Sequence, residues 1–255
     1  MIANYHTHTP RCYHAVGTEE EYVRCGLQAG LQTLGFSDHA PYPFPNGYYS
    51  TFRMYPDEFK DYVAAVEAVR KRYAGQIEIP LGVEAEYYPK YFRDMVAMMR
   101  DHGISYMLLG QHMLYDEMEG ISTAPATADV SLLRQYCNQT IDAIYTGLFS
   151  YFAHPDIMNF VGDPAVYRQE MARLCRAAKA CDLPLEINLL GLHLQRQYPN
   201  AEFWKIAAEE GCQVVLGVDA HKPEALLDPV PEQKARQLAA ECGLTVLDTV
   251  SLRRI

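Results

Sequence analysis

No run of apolar residues in this 255-residue chain reaches the roughly 20 residues that a membrane-spanning helix requires. Basic clusters are also missing beyond Arg253-Arg254, and the net charge is −10, from 22 basic and 32 acidic residues. A surface that follows a nucleic-acid duplex or an anionic membrane normally carries a basic stripe, so neither nucleic acid nor membrane is expected as a partner. The seven cysteines are odd in number and contain no Cys-x-x-Cys pair. That distribution suits reduced thiols, several of them buried as small hydrophobes. The first residues have neither a basic n-region nor an apolar h-region, and the expected location is the cytoplasm. No Gly/Ser linker or charge block interrupts the chain, so a single domain over residues 1–255 is expected.

What the chain does have is alternation. Short apolar runs at 2–5, 33–36, 77–83, 106–109, 148–153, 183–188 and 213–218 are each followed by a stretch of helical periodicity. Those stretches fall at 19–29, 57–73, 91–100, 131–146, 165–180, 201–210 and 232–241. Strands alternating with helices indicate βα units around a parallel sheet. Thr18-Glu-Glu-Glu21 reads as a capping box, and Asp163-Pro164 sets an N-cap acid before a proline at the first helical position. Gly30, Gly103, Gly147, Gly211 and Gly243 follow helical stretches, where a left-handed cap favours glycine. The fold class is therefore α/β, and seven repeats suggest a closed or nearly closed barrel. An open doubly wound sheet is the alternative, and the run 244–247 is either an eighth strand or a cap.

Histidines gather where the runs end. His6 and His8, His39, His112, His154 and His221 each lie within about four residues after an apolar run, six of the chain's nine. Random placement would put about one there. Glu84 ends one more run, and Asp219 shares the end of the last run with His221. Strand C-termini converge on one face of parallel α/β folds, and imidazole with carboxylate suits zinc, manganese or iron. His6 and His8 share a face of an extended strand and can chelate one ion. His102 sits at a helix end, where an imidazole favours the carbonyl dipole, and reads as structural. His193 is ambiguous.

Seven segments, in order, carry a resemblance: YHTHTPRCYH, LGFSDHAPYP, LGVEAEYYP, LGQHML, FAHPD, LEINLLGL and LGVDAH. Together they resemble the motifs of the polymerase and histidinol phosphatase (PHP) superfamily, from residue 5 to about residue 221. GFSDHAPYPF, the YYSTFRM segment and LEIN before Tyr198-Pro199 are similar to the branch that hydrolyses L-histidinol phosphate. The resemblance implies a distorted (β/α)7 TIM-like barrel with two or three divalent ions. It implies His6, His8, Glu84 and Asp219 around one ion, Glu84, His112 and His154 around a second, and His14, His39 and His221 around a third. Glu84 rather than Glu86 is the implied ligand. Members of that branch often carry Arg where His193 stands, whereas here Arg196 lies three residues later.

The implied chemistry is hydrolysis of a small phosphate ester by hydroxide bridging metal ions, with Glu84, Asp219 and His221 catalytic. No Cys-x5-Arg or Gly-x-Ser-x-Gly motif offers a covalent nucleophile instead. Arg53, in a long aromatic loop, and Arg196 are expected to grip phosphate, and Asn188 to bind substrate or brace a loop. Asp38 and Asp156, beside ligands, are expected to orient imidazoles or carry a proton. The alternatives are another PHP phosphoesterase, acting on phosphotyrosine, a nucleotide or a sugar phosphate, and a non-catalytic PHP module of DNA replication or repair.

Overall fold

The computed structural model describes residues 1–48, 50–118 and 120–255; Tyr49, within the YYSTFRM segment, and Glu119 lie outside the described residues. In chain order, β1 (Ala3–Asn4) leads to α1 (Glu19–Gln28), β2 (Thr33–Leu34) to α2 (Phe59–Arg72), and β3 (Gly82–Ala85) to α3 (Pro89–Asp101). Then β4 (Tyr106–Leu109) is followed by the hairpin strands β5 (Met113–Leu114) and β6 (Ile121–Ser122) and by α4 (Val130–Tyr145). The chain continues through β7 (Phe149–Phe152), α5 (Pro164–Ala180), β8 (Leu185–Asn188), α6 (Leu189–Leu194) and α7 (Ala201–Glu209). It ends with β9 (Val214–Gly217) and α8 (Pro229–Cys242).

The expected helix starts are present. Thr18 accepts from the Glu21 amide while the Glu21 carboxylate accepts from the Thr18 amide. The Asp163 carboxylate accepts from the Ala165 amide, with Pro164 at the first helical position. All five glycines that follow helices take φ between +70° and +81°.

The strands are shorter than the apolar runs, for a backbone reason. Pro80 and Pro184 interrupt two of the runs, and proline has no N–H to donate to a ladder. Accordingly β3 begins at Gly82 and β8 at Leu185, while the Pro80 carbonyl still accepts from the Phe36 amide.

β3, β4, β7, β8 and β9 form one parallel sheet in that order, and β1 pairs in parallel with β2. Isolated parallel bridges Thr33↔Glu78, Phe36↔Leu81 and His39↔Glu84 join the β2 side to β3, and Thr7↔Ala220 joins β1 to the exit of β9. Seven parallel strands thus follow one another around in the order expected for (β/α)7. Val246 adds one bridge to Val214, so the run 244–247 contributes a single pairing rather than an eighth strand.

Side chains alternate across these strands with period two. Val83, Ala85, Met107, Leu109, Leu185, Ile187, Val214 and Leu216 belong to the large core that includes the helices. A separate small cluster of Tyr5, Tyr106, Leu108, Tyr151, Ala153 and Val215 fills the space enclosed by the strands. Tyr106 reaches across that interior. Its hydroxyl donates to the carbonyls of Tyr5 (2.7 Å) and Phe36 (3.1 Å), and its ring occupies the place a side chain at Gly82 would need. Glu84, Glu86, Glu186, Asn188 and Asp219 share the alternation of this inward set. The strand faces that would fill the interior with apolar atoms carry the polar site at their C-terminal ends.

Tyr106→Phe retains the ring but leaves the buried Tyr5 carbonyl without its side-chain donor, while the Phe36 carbonyl keeps the Gly82 amide. It is expected to lower unfolding free energy by about 1–2 kcal/mol, read as a reduced urea midpoint at unchanged m-value.

Candidate metal centre

Glu84, at the end of β3, lies at the middle of the site and is 1 % exposed. Its Oε2 faces His6 Nε2 (3.5 Å), His8 Nε2 (3.5 Å) and His39 Nδ1 (3.3 Å). Its Oε1 faces His154 Nε2 (2.8 Å) and His112 Nε2 (3.7 Å). Asp219, beyond β9, sets Oδ1 3.5 Å from His6 Nε2 and 3.1 Å from His8 Nε2. His221 follows two residues later, its ring stacked on His8 (4.1 Å between centroids) and on His14 (4.7 Å).

Potential ligand atoms lie within 4.8 Å of one another in several groups, among them His6–His8–Asp219, His6–Glu84–His154, His8–His39–Glu84 and His14–His39–His221. The geometry brings all nine residues of the expected ligand set into one cluster. His102 stays outside it, its Nδ1 2.9 Å from the Met98 carbonyl at the end of α3. His193 is exposed and faces Asp228 (3.4 Å).

Five of the seven rings are held by one nitrogen. Nδ1 of His6 donates to Glu186 (2.9 Å), that of His8 to Asp38 (3.3 Å) and that of His112 to Glu86 (2.9 Å). Nδ1 of His14 and His221 meets the carbonyls of Cys12 (2.6 Å) and Asp219 (3.0 Å). A carboxylate or carbonyl on one nitrogen fixes the tautomer and frees the other for a metal. The buried Nε2 atoms of His6, His8 and His221 and Nδ1 of His39 have no hydrogen-bond partner. Orphaned buried polar atoms of this kind are costly, and a cation satisfies imidazole and carboxylate together. The donor set fits divalent transition-metal ions. His154 (φ +35°) and Asp219 (φ +53°) also adopt left-handed backbone, a local cost of about 1–3 kcal/mol tolerated to aim these side chains.

The sequence reading missed Glu186, Glu86 as an orienting group, and Cys12. Period-two placement beside Asn188 and Glu84 was the available signal for the two acids. Cys12 Sγ lies within 4.8 Å of ring nitrogens of His8 and His221. Asp38 accepts from the amides of Thr9 (3.1 Å) and His39 (2.8 Å) besides His8, contacts that suit an orienting group. Asp156 accepts from the Asn200 amide (2.6 Å), and burial raises its pKa to about 7.

Two of the three residues expected to contact substrate lie off the cavity wall. Arg53 is 1 % exposed and does not line the cavity above the ligands; its guanidinium is occupied by Glu86, Glu117 and the Ala40 carbonyl. Asn188 is fully buried and makes bracing contacts, one of the two roles expected of it. Its amide donates to Glu186 (2.8 Å) and Asp219 (3.1 Å), while its Oδ1 caps α6 at Gly191. Arg196 does line that cavity, of about 490 Å³, with Phe52, His112, Met113, Ser122 and Tyr198, and donates to the Tyr198 hydroxyl (2.6 Å).

A family model, the PHP domain, matches residues 4–189. The chain belongs to the PHP family. This PHP domain is 32 % identical over 233 residues to a probable histidinol-phosphatase of Deinococcus radiodurans, with 87 % of each chain covered. It is 24 % identical to a histidinol-phosphatase of Bacillus subtilis, covering 85 % of this chain and 92 % of that one. Among solved structures it resembles the histidinol phosphate phosphatase of Lactococcus lactis, complexed with zinc, L-histidinol and phosphate (TM-score 0.75, 18 % identity, 98 % and 96 % covered). That likeness carries the fold, and PHP folds are distorted TIM barrels.

Charge in this PHP domain sets how metal binding depends on pH. Burial opposes the imidazolium of His6, but Glu186, Asp219 and Glu84 outweigh it and hold the pKa well above the usual value. His8 is raised in the same way, against burial, by Asp219 and Asp38. Metal-free protein therefore keeps protons on these rings near neutrality. The stability they contribute is full below the usual imidazole value and is lost as pH rises through the raised one. A metal ion must displace those protons. Zn²⁺ uptake is expected to release protons, and the gain in Tm on adding Zn²⁺ should be larger at pH 8.5 than at pH 6. A gain independent of pH would contradict this.

Proposed function

We propose that the protein is a metal-dependent phosphomonoesterase that hydrolyses L-histidinol phosphate to L-histidinol and phosphate. The observation that carries the reading is the convergence of seven imidazoles and two carboxylates at strand ends, with orphaned ring nitrogens facing Glu84 and Asp219. The choice of substrate is supported by the relatives, a probable histidinol-phosphatase of Deinococcus radiodurans and a histidinol-phosphatase of Bacillus subtilis.

In this reading His6, His8, Glu84 and Asp219 hold one ion, Glu84 with His112 and His154 a second, and His14, His39 and His221 a third. Zinc, manganese and iron all suit these donors. Divalent ions held there supply Lewis acidity to phosphoryl oxygens and acidify water for attack. The chain's own residues do the rest. Glu186, Asp38 and Glu86 fix the rings of His6, His8 and His112. Asn188 holds Asp219 and Glu186 together through one amide. Arg196 is the only lysine or arginine among the described residues lining the cavity, and its planar fork suits phosphoryl oxygens. Phe52, Met113, Leu190 and Leu194 give that cavity apolar walls that limit water. Glu84, Asp219 and His221 are the groups assigned to the reacting centre.

Purified protein is expected to release phosphate from L-histidinol phosphate, to lose that activity after EDTA treatment and to regain it with Zn²⁺ or Mn²⁺. Full activity in metal-free protein would refute the mechanism. Arg196→Ala should reduce kcat/KM by about 10- to 100-fold, the loss of a charged hydrogen bond.

A further inference from the structure

Arg53 is a buried charge that the reading above leaves without a task. It lies in the loop between β2 and α2, and three different segments meet on its guanidinium. Nη1 donates to the Ala40 carbonyl at the start of the same loop (2.9 Å). Nε donates to Glu117 in the hairpin between β5 and β6 (2.6 Å). Nη2 lies 3.0 Å from Glu86 Oε1 just beyond β3. The same Glu86 oxygen accepts from His112 Nδ1 at 2.9 Å. The rings of Phe52 (4.4 Å) and Tyr42 (5.2 Å) cover the guanidinium, and the Tyr48 hydroxyl reaches Glu117 from the loop side (3.4 Å).

His112 needs this support more than its neighbours. Its side chain is 26 % exposed, against 2 % or less for His6, His8 and His154. Packing alone fixes it less, and it sits at the foot of the hairpin, one residue before β5. Its carbonyl accepts from the amide and hydroxyl of Thr123 on the return side of that hairpin (2.9 and 3.0 Å). The hairpin, the loop and the ligand therefore share one set of contacts. Phe52, adjacent to Arg53, stands edge-on to both His39 (5.5 Å) and His112 (6.3 Å) and lines the cavity.

We propose that Arg53 is a positioning residue: by gripping Glu86 and Glu117 at once it fastens the β2–α2 loop and the hairpin to His112, and so aims His112 Nε2 at the metal centre. The proposal rests on the metal-dependent reading above. It assigns Arg53 to the metal ligand, through Glu86, and not to phosphate. Groups that orient a metal-binding imidazole typically change metal affinity by about 10- to 100-fold when removed.

Removing Arg53 alone leaves Glu86 and Glu117 buried without the guanidinium they share, which threatens folding. The double variant Arg53→Met/Glu117→Gln removes the guanidinium and one carboxylate together. It is compared with wild type, with His112→Ala and with the triple variant, each checked by circular dichroism. Metal-free protein is titrated with Zn²⁺ in competition with a chromophoric chelator. The double variant is expected to bind its weakest Zn²⁺ about 10- to 100-fold less tightly than wild type. In the His112→Ala background the same two substitutions should change that affinity by less than about twofold, because the ring they act through is gone. Unchanged affinity in the double variant, or equal losses in both backgrounds, would overturn the proposal while leaving the phosphatase reading intact. Wild-type protein that takes up no Zn²⁺ would overturn both.

Discussion

The structure turns on one buried carboxylate. Glu84 places both oxygens among imidazoles, with His6, His8 and His39 on one side and His154 and His112 on the other. Burial opposes its charge, yet His6, His112 and His39 outweigh that penalty and hold its pKa well below the usual carboxylate range. Asp219 is treated likewise, against burial, by His6, His8 and His221. With Glu86, Glu186 and Asp38 also buried, five carboxylates crowd one end of the strands. Imidazolium on His6 and His8 offsets only part of that charge. Divalent cations offset the rest, which is why the same arrangement that is costly alone becomes a binding site.

Five of the seven imidazoles, those of His6, His8, His14, His112 and His221, have a second partner, and this outer layer is as specific as the ligands. Glu186, Asp38 and Glu86 each take one Nδ1, while Asn188 joins Glu186 to Asp219. Glycine makes room for it: a side chain at Gly217 would collide with the Glu186 carboxylate. The interior of the strands is thus divided. Tyr106, Tyr151 and Leu108 fill it with ring and aliphatic atoms, and the inward positions beyond them carry acids.

How much of this could be read from the sequence follows from how local each signal is. His6, His8, His39, His112, His154 and His221 were legible because an apolar run before each residue marks a strand end. The PHP motifs then added His14. Strand limits were not legible where Pro80 and Pro184 cut the ladder inside an apolar run. Helix α6 was hidden because Leu189–Leu194 continues the apolar character of β8. Glu86 and Glu84 differ only by one period of the strand, and nothing local says that one faces the cluster centre and the other supports His112 from behind. Arg53 was misread for a related reason. A lone arginine in an aromatic loop looks solvent-facing until Glu86 and Glu117, both remote in sequence, are brought to it.

That misreading shows how the chain divides its positive charge. The protein is acidic, yet the proposed substrate is an anion, so positive charge must be local. Arg53 is consumed in balancing two buried acids, and its fork contributes geometry rather than attraction. Arg196, on the cavity wall with its guanidinium against Tyr198, is the cation proposed for phosphate. Bound metal ions would supply the remainder at the point where phosphoryl charge is greatest. An acidic chain can therefore accommodate a small anion by placing its positive charge locally, at one arginine and at bound cations, rather than over an extended surface.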